Sequence, residues 1–207
     1  MKLVLFDYYR SSASYRVRIG LNLKGVAYER VDVSLLDGAQ REAENLARNP
    51  QGFVPTLEVD GQPVTQSLAI LDWLDRAVPG PAFLPEDAMA RAHNYAQALL
   101  IACDIHPLNN LRVLRYLGRE LQVAEPARDD WYRHWVREGF LALERTADPA
   151  AQYLGGESVS LADICLVPQM FNARRFNLDL DAFPNLVRID AALQQLDAFR
   201  SAHPESL

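Results

Sequence analysis

Two adjacent hydroxyl side chains, Ser11 and Ser12, stand at the predicted start of the first helix, directly after Arg10. Serines at such a position often cap the helix, because their oxygens accept hydrogen bonds from the first free backbone N–H groups. The same helix end carries free N–H donors and a partial positive charge, which attract anions. A thiolate would be a suitable guest, since these surroundings lower a thiol pKa from its usual value of about 8.5. The chain has no cysteine at this point, so the thiol would have to arrive with a ligand.

Two further dipeptides could bind parts of a small peptide. Val54 precedes Pro55 just before a predicted strand, and a cis bond there would turn the valine backbone outward as a docking edge. The alternative is an ordinary trans proline that opens the strand. Gln66 and Ser67 precede another predicted helix, where Ser67 could be the N-cap or could help to hold a carboxylate.

The segment 103–112, with the sequence CDIHPLNNLR, is unusually polar for a helix lined with leucines. Its spacing of Cys103, Asp104 and His106 fits no usual zinc pattern, so we predict no metal site and treat the histidine as a hydrogen-bonded interior residue. Arg174 and Arg175 are adjacent on a predicted helix, so that at most one of them can reach a given pocket. A solvated pair is the ordinary interpretation of two such arginines.

The first 80 residues alternate strand and helix patterns, which predicts a compact α/β unit of order β-α-β-α-β-β-α. Asp60-Gly61, between two strand-like runs, is the strongest hairpin signal in the chain. Gly25 is a natural stop for the first helix. The strands are predicted within 2–6, 27–36, 54–59 and 62–66, and the helices within 11–25, 39–49 and 67–78.

Three prolines and a glycine make residues 79–87 a predicted linker, and no strand pattern follows it. We therefore predict two domains, an α/β domain over 1–80 and an all-helical domain over 88–207. Helices are predicted within 88–121 (disturbed near Pro107), 127–147, 160–176 and 185–202. Ser160 and Asp163 have the spacing of a capping box, with aspartate in place of the usual glutamate.

The composition excludes several classes of function. The 207-residue chain has a net charge of −6 and a pI near 5.2, which argues against generic binding to nucleic acid or anionic membranes. No apolar run approaches the ~20 residues of a membrane span, and the N-terminus lacks a signal-peptide pattern, so we expect a cytoplasmic protein. In a reducing compartment, Cys103 and Cys165 are expected to be free thiols in a core.

Several of these motifs together resemble the zeta class of the glutathione transferase superfamily over essentially the whole chain. The stretches that carry the resemblance are SSASYRVRI, FVPTL, QSLAI, LADICLVPQ and ARRFNLDL. The resemblance implies a thioredoxin-like, glutathione-binding domain (α/β, 1–80) followed by an all-α, substrate-binding domain (88–207). Two residues depart from the class pattern, because Ala13 replaces a cysteine and Tyr15 a tryptophan. Since the serine is usually assigned the role of supporting the thiolate, the missing cysteine should not abolish isomerisation.

The resemblance also implies roles for individual residues. Ser11 and Ser12 would lie by the glutathione sulfur, whereas Arg10 and Arg175 would bind the carboxylates of a second substrate; Arg174 is left as a surface residue. The remaining implied glutathione contacts are Gln40, Val54, Pro55, Gln66, Ser67, Asp104, His106, Asn110 and Arg112. Those of the second domain would line the same site, with a homodimer as the expected assembly.

The activity implied by the resemblance is glutathione-dependent cis–trans isomerisation of a maleyl keto diacid. The thiolate would add to the alkene, the bond would rotate, and the thiolate would leave again. Maleylacetoacetate, from tyrosine and phenylalanine breakdown, is the first expectation, and maleylpyruvate, from gentisate breakdown, is the alternative. A transferase that conjugates small electrophiles is a third option. A non-enzymatic binding module is least favoured, because the serines, the Val-Pro and the Gln-Ser are all present.

Overall fold

The computed structural model describes residues 1–207 as two compact units. The first comprises Met1–Phe83 together with Leu196–Leu207, and the second comprises Leu84–Gln195. The sequence pattern assigns the last residues to the helical domain, whereas in the structure they group with the first unit. They do so because they pack against its first helix, where Asn22 donates a hydrogen bond to the Ala198 carbonyl (3.0 Å).

The first unit is a four-stranded mixed sheet with helices, in the predicted element order. Its elements are β1 (Leu3–Asp7), α1 (Ser12–Leu23), β2 (Glu29–Asp32), a 3-10 turn (Ala39–Arg41), α2 (Ala43–Arg48), β3 (Thr56–Val59), β4 (Gln62–Thr65) and α3 (Ser67–Ala77). The strand order is β2-β1-β3-β4, with β1 parallel to β2 and the other neighbours antiparallel. The α/β arrangement predicted from the sequence is confirmed.

Glycines and a tight hairpin explain how these elements meet. Gly20 lies where a Cβ would collide with the Leu71 side chain, so any larger residue would force that side chain to shift where α1 and α3 are in contact. Gly25 has φ 63° and ends the helical segment, as predicted. Asp60 (φ 49°) and Gly61 (φ 83°) both have positive φ, as a two-residue hairpin turn requires, so the predicted hairpin is confirmed.

The second unit is built from helices. They are α4 (Ala88–Leu99), a π-helical turn (Leu100–Ile105), α5 (Leu111–Arg119), α6 (Glu125–Thr146), α7 (Leu161–Arg175) and α8 (Pro184–Leu193). The disturbance predicted near Pro107 is present, because regular helix stops before that residue and resumes at Leu111. The helix predicted over 185–202 is two helices instead, α8 and α9 (Asp197–Arg200), because Leu196 has an extended backbone. None of these helices is long and apolar enough to cross a membrane.

The two cysteines differ in their surroundings. Neither forms a disulfide bond, and only Cys165 is buried. The prediction that Cys103 lies in a core is wrong, because the π-helical turn directs Ile101 and Ile105 inward and leaves Cys103 exposed.

The capping box predicted at the start of α7 is confirmed and supports the most deeply buried helix of the second unit. One carboxylate, that of Asp163, accepts hydrogen bonds from the backbone N–H groups of Leu154 (2.8 Å), Gly155 (3.2 Å) and Ser160 (2.9 Å). Burial raises the pKa of this carboxyl, although the hydrogen bonds oppose the shift. Asp163 therefore joins the loop before α7 to the first turn of the helix.

We expect Asp163→Ala to lower the free energy of unfolding by about 3 kcal/mol, because it leaves three buried or half-buried N–H donors without a partner. Urea unfolding measures the change. Asp87→Ala is the control, since the Asp87 carboxylate also accepts backbone N–H bonds at a helix start, but as the exposed N-cap of α4, so its loss should cost only about 1 kcal/mol. Equal losses in the two variants would contradict the special role of Asp163.

Candidate active site

A tight turn connects β1 to α1 and carries the two serines. The turn runs from Tyr8 to Ser11 and is closed by the Ser11 N–H, which donates to the Tyr8 carbonyl (2.9 Å). Ser11 is the N-cap of α1, and its hydroxyl oxygen accepts a hydrogen bond from the Ser14 N–H (3.3 Å). Ser12 is the first helical residue and is buried. The capping interpretation of Ser11 is therefore confirmed, and it leaves the hydroxyl proton of Ser11 to donate to an anion at the helix end.

Arg10 is held in the same turn by two aromatic rings. Its Nη2 donates a hydrogen bond to the Tyr8 hydroxyl (3.1 Å), and its guanidinium carbon lies 5.1 Å from the centroid of the Tyr9 ring. The hydrogen bond with Tyr8 raises the pKa of Arg10, although burial opposes the shift, so the guanidinium stays charged. Its Nε is buried without a hydrogen-bond partner within the chain. Arg10 thus carries a positive charge in a defined position, and its Nε–H remains available to a ligand.

One hydrophobic cluster supports several of the predicted site residues. It is formed by Phe6, Tyr8, Val33 and Val54, with Tyr9 and Ala39 packed against it among others. The Tyr8–Ser11 turn, Val54 and the turn that contains Gln40 all pack against this cluster. Three separated parts of the first unit therefore meet at the carboxyl end of β1.

The Val54–Pro55 peptide bond is cis. Strand β3 begins only at Thr56, and the backbone groups of Val54 take part in no hydrogen bond within the chain. A backbone donor and a backbone acceptor that the chain itself does not use are what a docking peptide needs.

Gln40 lies in the 3-10 turn with its side chain largely buried. Its backbone carbonyl accepts a hydrogen bond from the Asn45 side chain (3.0 Å), which fixes the turn to α2. Its side-chain Oε1 is buried and has no partner within the chain. An unpartnered buried amide oxygen is costly, and a ligand N–H would relieve that cost.

Helix α3 begins at Ser67, as the sequence pattern predicts, but its cap is a different residue from the one considered. Gln66 is the N-cap and Ser67 is the first helical residue, so the expectation that Ser67 caps the helix is wrong. The reason lies in the backbone of Gln66, whose φ of 69° stops the helix at Ser67. Positive φ is uncommon for a residue other than glycine, and such residues concentrate at ligand-binding sites. The Gln66 side chain donates to the Gln51 side chain (2.7 Å).

A buried arginine connects the starts of the two helices. Arg16, on α1, is 1% exposed, and its Nη1 donates to the Ser67 hydroxyl (3.4 Å). The contact places positive charge behind the amino end of α3, which strengthens the attraction of that end for a carboxylate. The sequence signal for Arg16 is a charged residue inside a helix whose neighbours are apolar, and the motif pattern alone assigns it no role.

The predicted residues of the second unit are more exposed. Asp104 and Arg112 are exposed, and His106 is half-buried at the end of the π-helical turn. Asn110 is the N-cap of α5 and accepts a hydrogen bond from the Arg112 N–H (3.1 Å), which gives Asn110 a structural role.

The two adjacent arginines at the end of α7 have different partners. Arg174 forms a salt bridge with the buried Asp190 (2.6 Å), so it is more than the solvated residue expected. Arg175 is exposed, and its guanidinium carbon lies 4.9 Å from the centroid of the Phe176 ring, which in turn stacks on Tyr132 at 3.6 Å. Arg175 forms no salt bridge and lies over the aromatic pair.

Comparisons with known proteins cover nearly the whole chain. Residues 5–82 match the family Glutathione S-transferase, N-terminal domain, and residues 134–189 match Glutathione S-transferase, C-terminal domain. A maleylacetoacetate isomerase of Rhizobium meliloti is 47% identical over 98% of this chain and 96% of its own. A bacterial maleyl pyruvate isomerase, described as a zeta-class glutathione S-transferase, is 42% identical with a TM-score of 0.96, over 99% of this chain and 98% of its own.

A third relative was solved with ligands. The maleylacetoacetate isomerase of Methylobacterium extorquens AM1, with bound malonate and GSH, is 39% identical with a TM-score of 0.95. The alignment covers 99% of this chain and 97% of that one. A tripeptide thiol and a small dicarboxylate are thus the two ligands bound by a protein of nearly the same fold.

Proposed function

The chain belongs to the zeta class of the glutathione S-transferase family, and from this premise we propose that it catalyses the glutathione-dependent cis–trans isomerisation of a maleyl keto diacid. The proposed reaction converts maleylacetoacetate into fumarylacetoacetate. The observation that carries the proposal is the hydroxyl pair at the amino end of α1, beside Arg10, in a chain 47% identical to a maleylacetoacetate isomerase.

The first unit offers groups that fit glutathione. The free backbone of Val54 would pair with the cysteinyl part of the tripeptide, and the amino end of α3, at Gln66 and Ser67, would hold its γ-glutamyl carboxylate. The unpartnered Gln40 Oε1 would accept a hydrogen bond near the glycyl end. In the second unit, Asp104, His106, Asn110 and Arg112 are proposed as further contacts on the basis of the class resemblance.

Ser11 and Ser12 are proposed to keep the bound thiol ionised near neutral pH. The hydroxyl proton of Ser11 and the partial positive charge at the amino end of α1 stabilise the thiolate form relative to the thiol, which lowers its pKa. When bound, glutathione would supply a thiolate that adds reversibly to the cis double bond and so allows the bond to rotate. Ala13 stands where the class has a cysteine, and the proposed chemistry does not require a thiol there.

Arg10 and Arg175 are proposed to bind the two carboxylates of the diacid and the negative charge that develops on it during the reaction. A guanidinium can grip a carboxylate with two hydrogen bonds, and Arg10 has a buried donor that no group of the chain uses. Two local cations explain how a chain with a net charge of −6 could bind anionic substrates.

Maleylpyruvate is the second candidate substrate, because the chain is similar to a maleyl pyruvate isomerase over its full length. The two diacids differ in the length of the keto chain. On the basis of the family likeness we also propose a cytoplasmic homodimer that acts in aromatic amino acid breakdown.

The test of the proposed function is the ultraviolet absorbance of each cis diacid over time. We expect rapid conversion to the trans isomer with glutathione and only the background rate without it, because the chain supplies no thiol of its own at α1. S-methylglutathione, which keeps the tripeptide and blocks the thiol, is the matched control and should support no conversion. Equal rates with and without glutathione would rule the proposal out. The diacid with the higher kcat/KM is the substrate.

A further inference from the structure

One fully buried arginine joins three separate segments behind the Tyr8–Ser11 turn. Arg18, two turns into α1, is 0% exposed. Its Nη1 donates to the Asp7 carboxylate (2.7 Å), its Nη2 to the Tyr9 carbonyl (2.9 Å) and its Nε to the Ala202 carbonyl (3.0 Å). The acceptors lie at the end of β1, inside the turn and near the end of the chain.

The contact with Tyr9 determines the direction of the peptide that leads to the catalytic serines. The Tyr9 carbonyl belongs to the peptide unit between Tyr9 and Arg10, within the turn that the Ser11 N–H closes. A guanidinium is planar, so its donors keep fixed relative directions, and the two other bonds of Arg18 fix the one that reaches Tyr9. The orientation of this peptide unit sets where the Arg10 side chain and the Ser11 hydroxyl point.

A second arginine shares the same carboxylate without touching the turn. Arg30, on β2, donates from Nε to the other oxygen of Asp7 (2.8 Å) and lies near Asp32 (3.5 Å). Both arginines therefore pair with one buried carboxylate, the Arg18 side chain being fully buried and that of Arg30 partly exposed. Only Arg18 also donates to the Tyr8–Ser11 turn. Comparing the two arginines therefore separates the effect of holding the turn from the effect of an ion pair with Asp7.

We propose that Arg18 is a positioning residue of the thiolate site, and that the carbonyl of Ala202 in the C-terminal segment helps to hold it. The inference rests on the proposed function, because it assumes that Ser11 and Arg10 face the ligands. Arg18 touches no ligand itself and acts through the Tyr9–Arg10 peptide unit. The residues after Leu196 thereby take part in the geometry of a site at the other end of the sequence.

The matched substitutions Arg18→Lys and Arg30→Lys test the proposal. Lysine keeps a positive charge beside Asp7 but lacks the planar fork that serves three acceptors at once. We expect Arg18→Lys to raise the pKa of the bound glutathione thiol by about one unit and to lower kcat about tenfold near neutral pH, because a misplaced donor stabilises the thiolate less. Arg30→Lys should leave both quantities unchanged. Thiolate absorbance across pH and the isomerase assay provide the two measurements.

An unchanged thiol pKa in folded Arg18→Lys, or an equal shift in Arg30→Lys, would overturn the proposal. If Arg18→Lys does not fold, the double variant Asp7→Asn/Arg18→Met decides by the same measurements, since it removes the buried charge together with its partner. A wild-type protein that leaves the bound thiol pKa at its solution value would overturn both the proposed function and this inference. A wild-type protein that lowers the thiol pKa but isomerises neither diacid would overturn the substrate only, and the thiol pKa of Arg18→Lys would still decide the role of Arg18.

Discussion

Removal of both hydroxyls by Ser11→Ala/Ser12→Ala is expected to raise the pKa of bound glutathione and to lower turnover ~10²–10³-fold, the usual loss for a preorganised donor. Ser11 caps α1 and Ser12 follows it as the first helical residue, so both lie where a thiolate would meet the helix end. Without the hydroxyl donors, less of the bound thiol is ionised at neutral pH, and the optimum of kcat should move to higher pH. Thiolate absorbance and the pH profile of the isomerase measure the two effects.

Ser14→Ala is the control for this experiment. Ser14 lies in the same turn of α1, is fully buried, and its hydroxyl has no hydrogen-bond partner in the chain. Its removal should leave the thiol pKa unchanged. Because Ser11→Ala also removes a cap, at a cost of about 1 kcal/mol, urea unfolding must show that the double variant is still folded. A normal thiol pKa in the folded double variant would disprove the assignment of the serines.

Arg175→Ala is expected to raise KM for the diacid roughly 10–100-fold, because it removes charge-assisted hydrogen bonds to a carboxylate that are worth about 1.5–3 kcal/mol. Glutathione affinity should change little, since the proposed tripeptide contacts do not include this residue. Steady-state kinetics with the diacid varied, together with calorimetric binding of glutathione, separate the two effects.

Arg174→Ala provides the neighbouring control. Arg174 is engaged with the buried Asp190, so its loss should lower stability and leave KM for the diacid nearly unchanged. If Arg174→Ala raised KM as much as Arg175→Ala, the carboxylate site would be wrongly placed. A parallel loss of glutathione affinity in Arg175→Ala would instead assign that arginine to the tripeptide.

The order of elements was predictable because local signals agree with it. Asp60-Gly61 requires positive φ at two successive residues, and Ser160 with Asp163 has the spacing at which a side chain reaches the helix cap. Such signals depend on a few neighbouring residues. The residue that caps α3 was not predictable, because Gln66 takes this position with a positive φ, which few non-glycine residues adopt.

The buried residues that hold the candidate site in place were harder to predict from the sequence. Arg16 and Arg18 are among the most buried residues of the chain, although arginine is ordinarily a surface residue. Their partners, Ser67, Asp7 and Ala202, come from distant segments, and only the folded chain brings them together. Motif resemblance points to the groups that would face ligands, whereas the groups behind them depend on tertiary packing.

The division of the first unit into two stretches of sequence has a consequence for biosynthesis. Leu196–Leu207 leave the ribosome after all of Leu84–Gln195, so the helical unit has its full sequence before the sheet-containing unit does. A nascent chain that has reached only Gln195 therefore lacks the carbonyl that Arg18 requires. During translation, the sheet-containing unit, although synthesised first, is expected to be the last to reach its native packing.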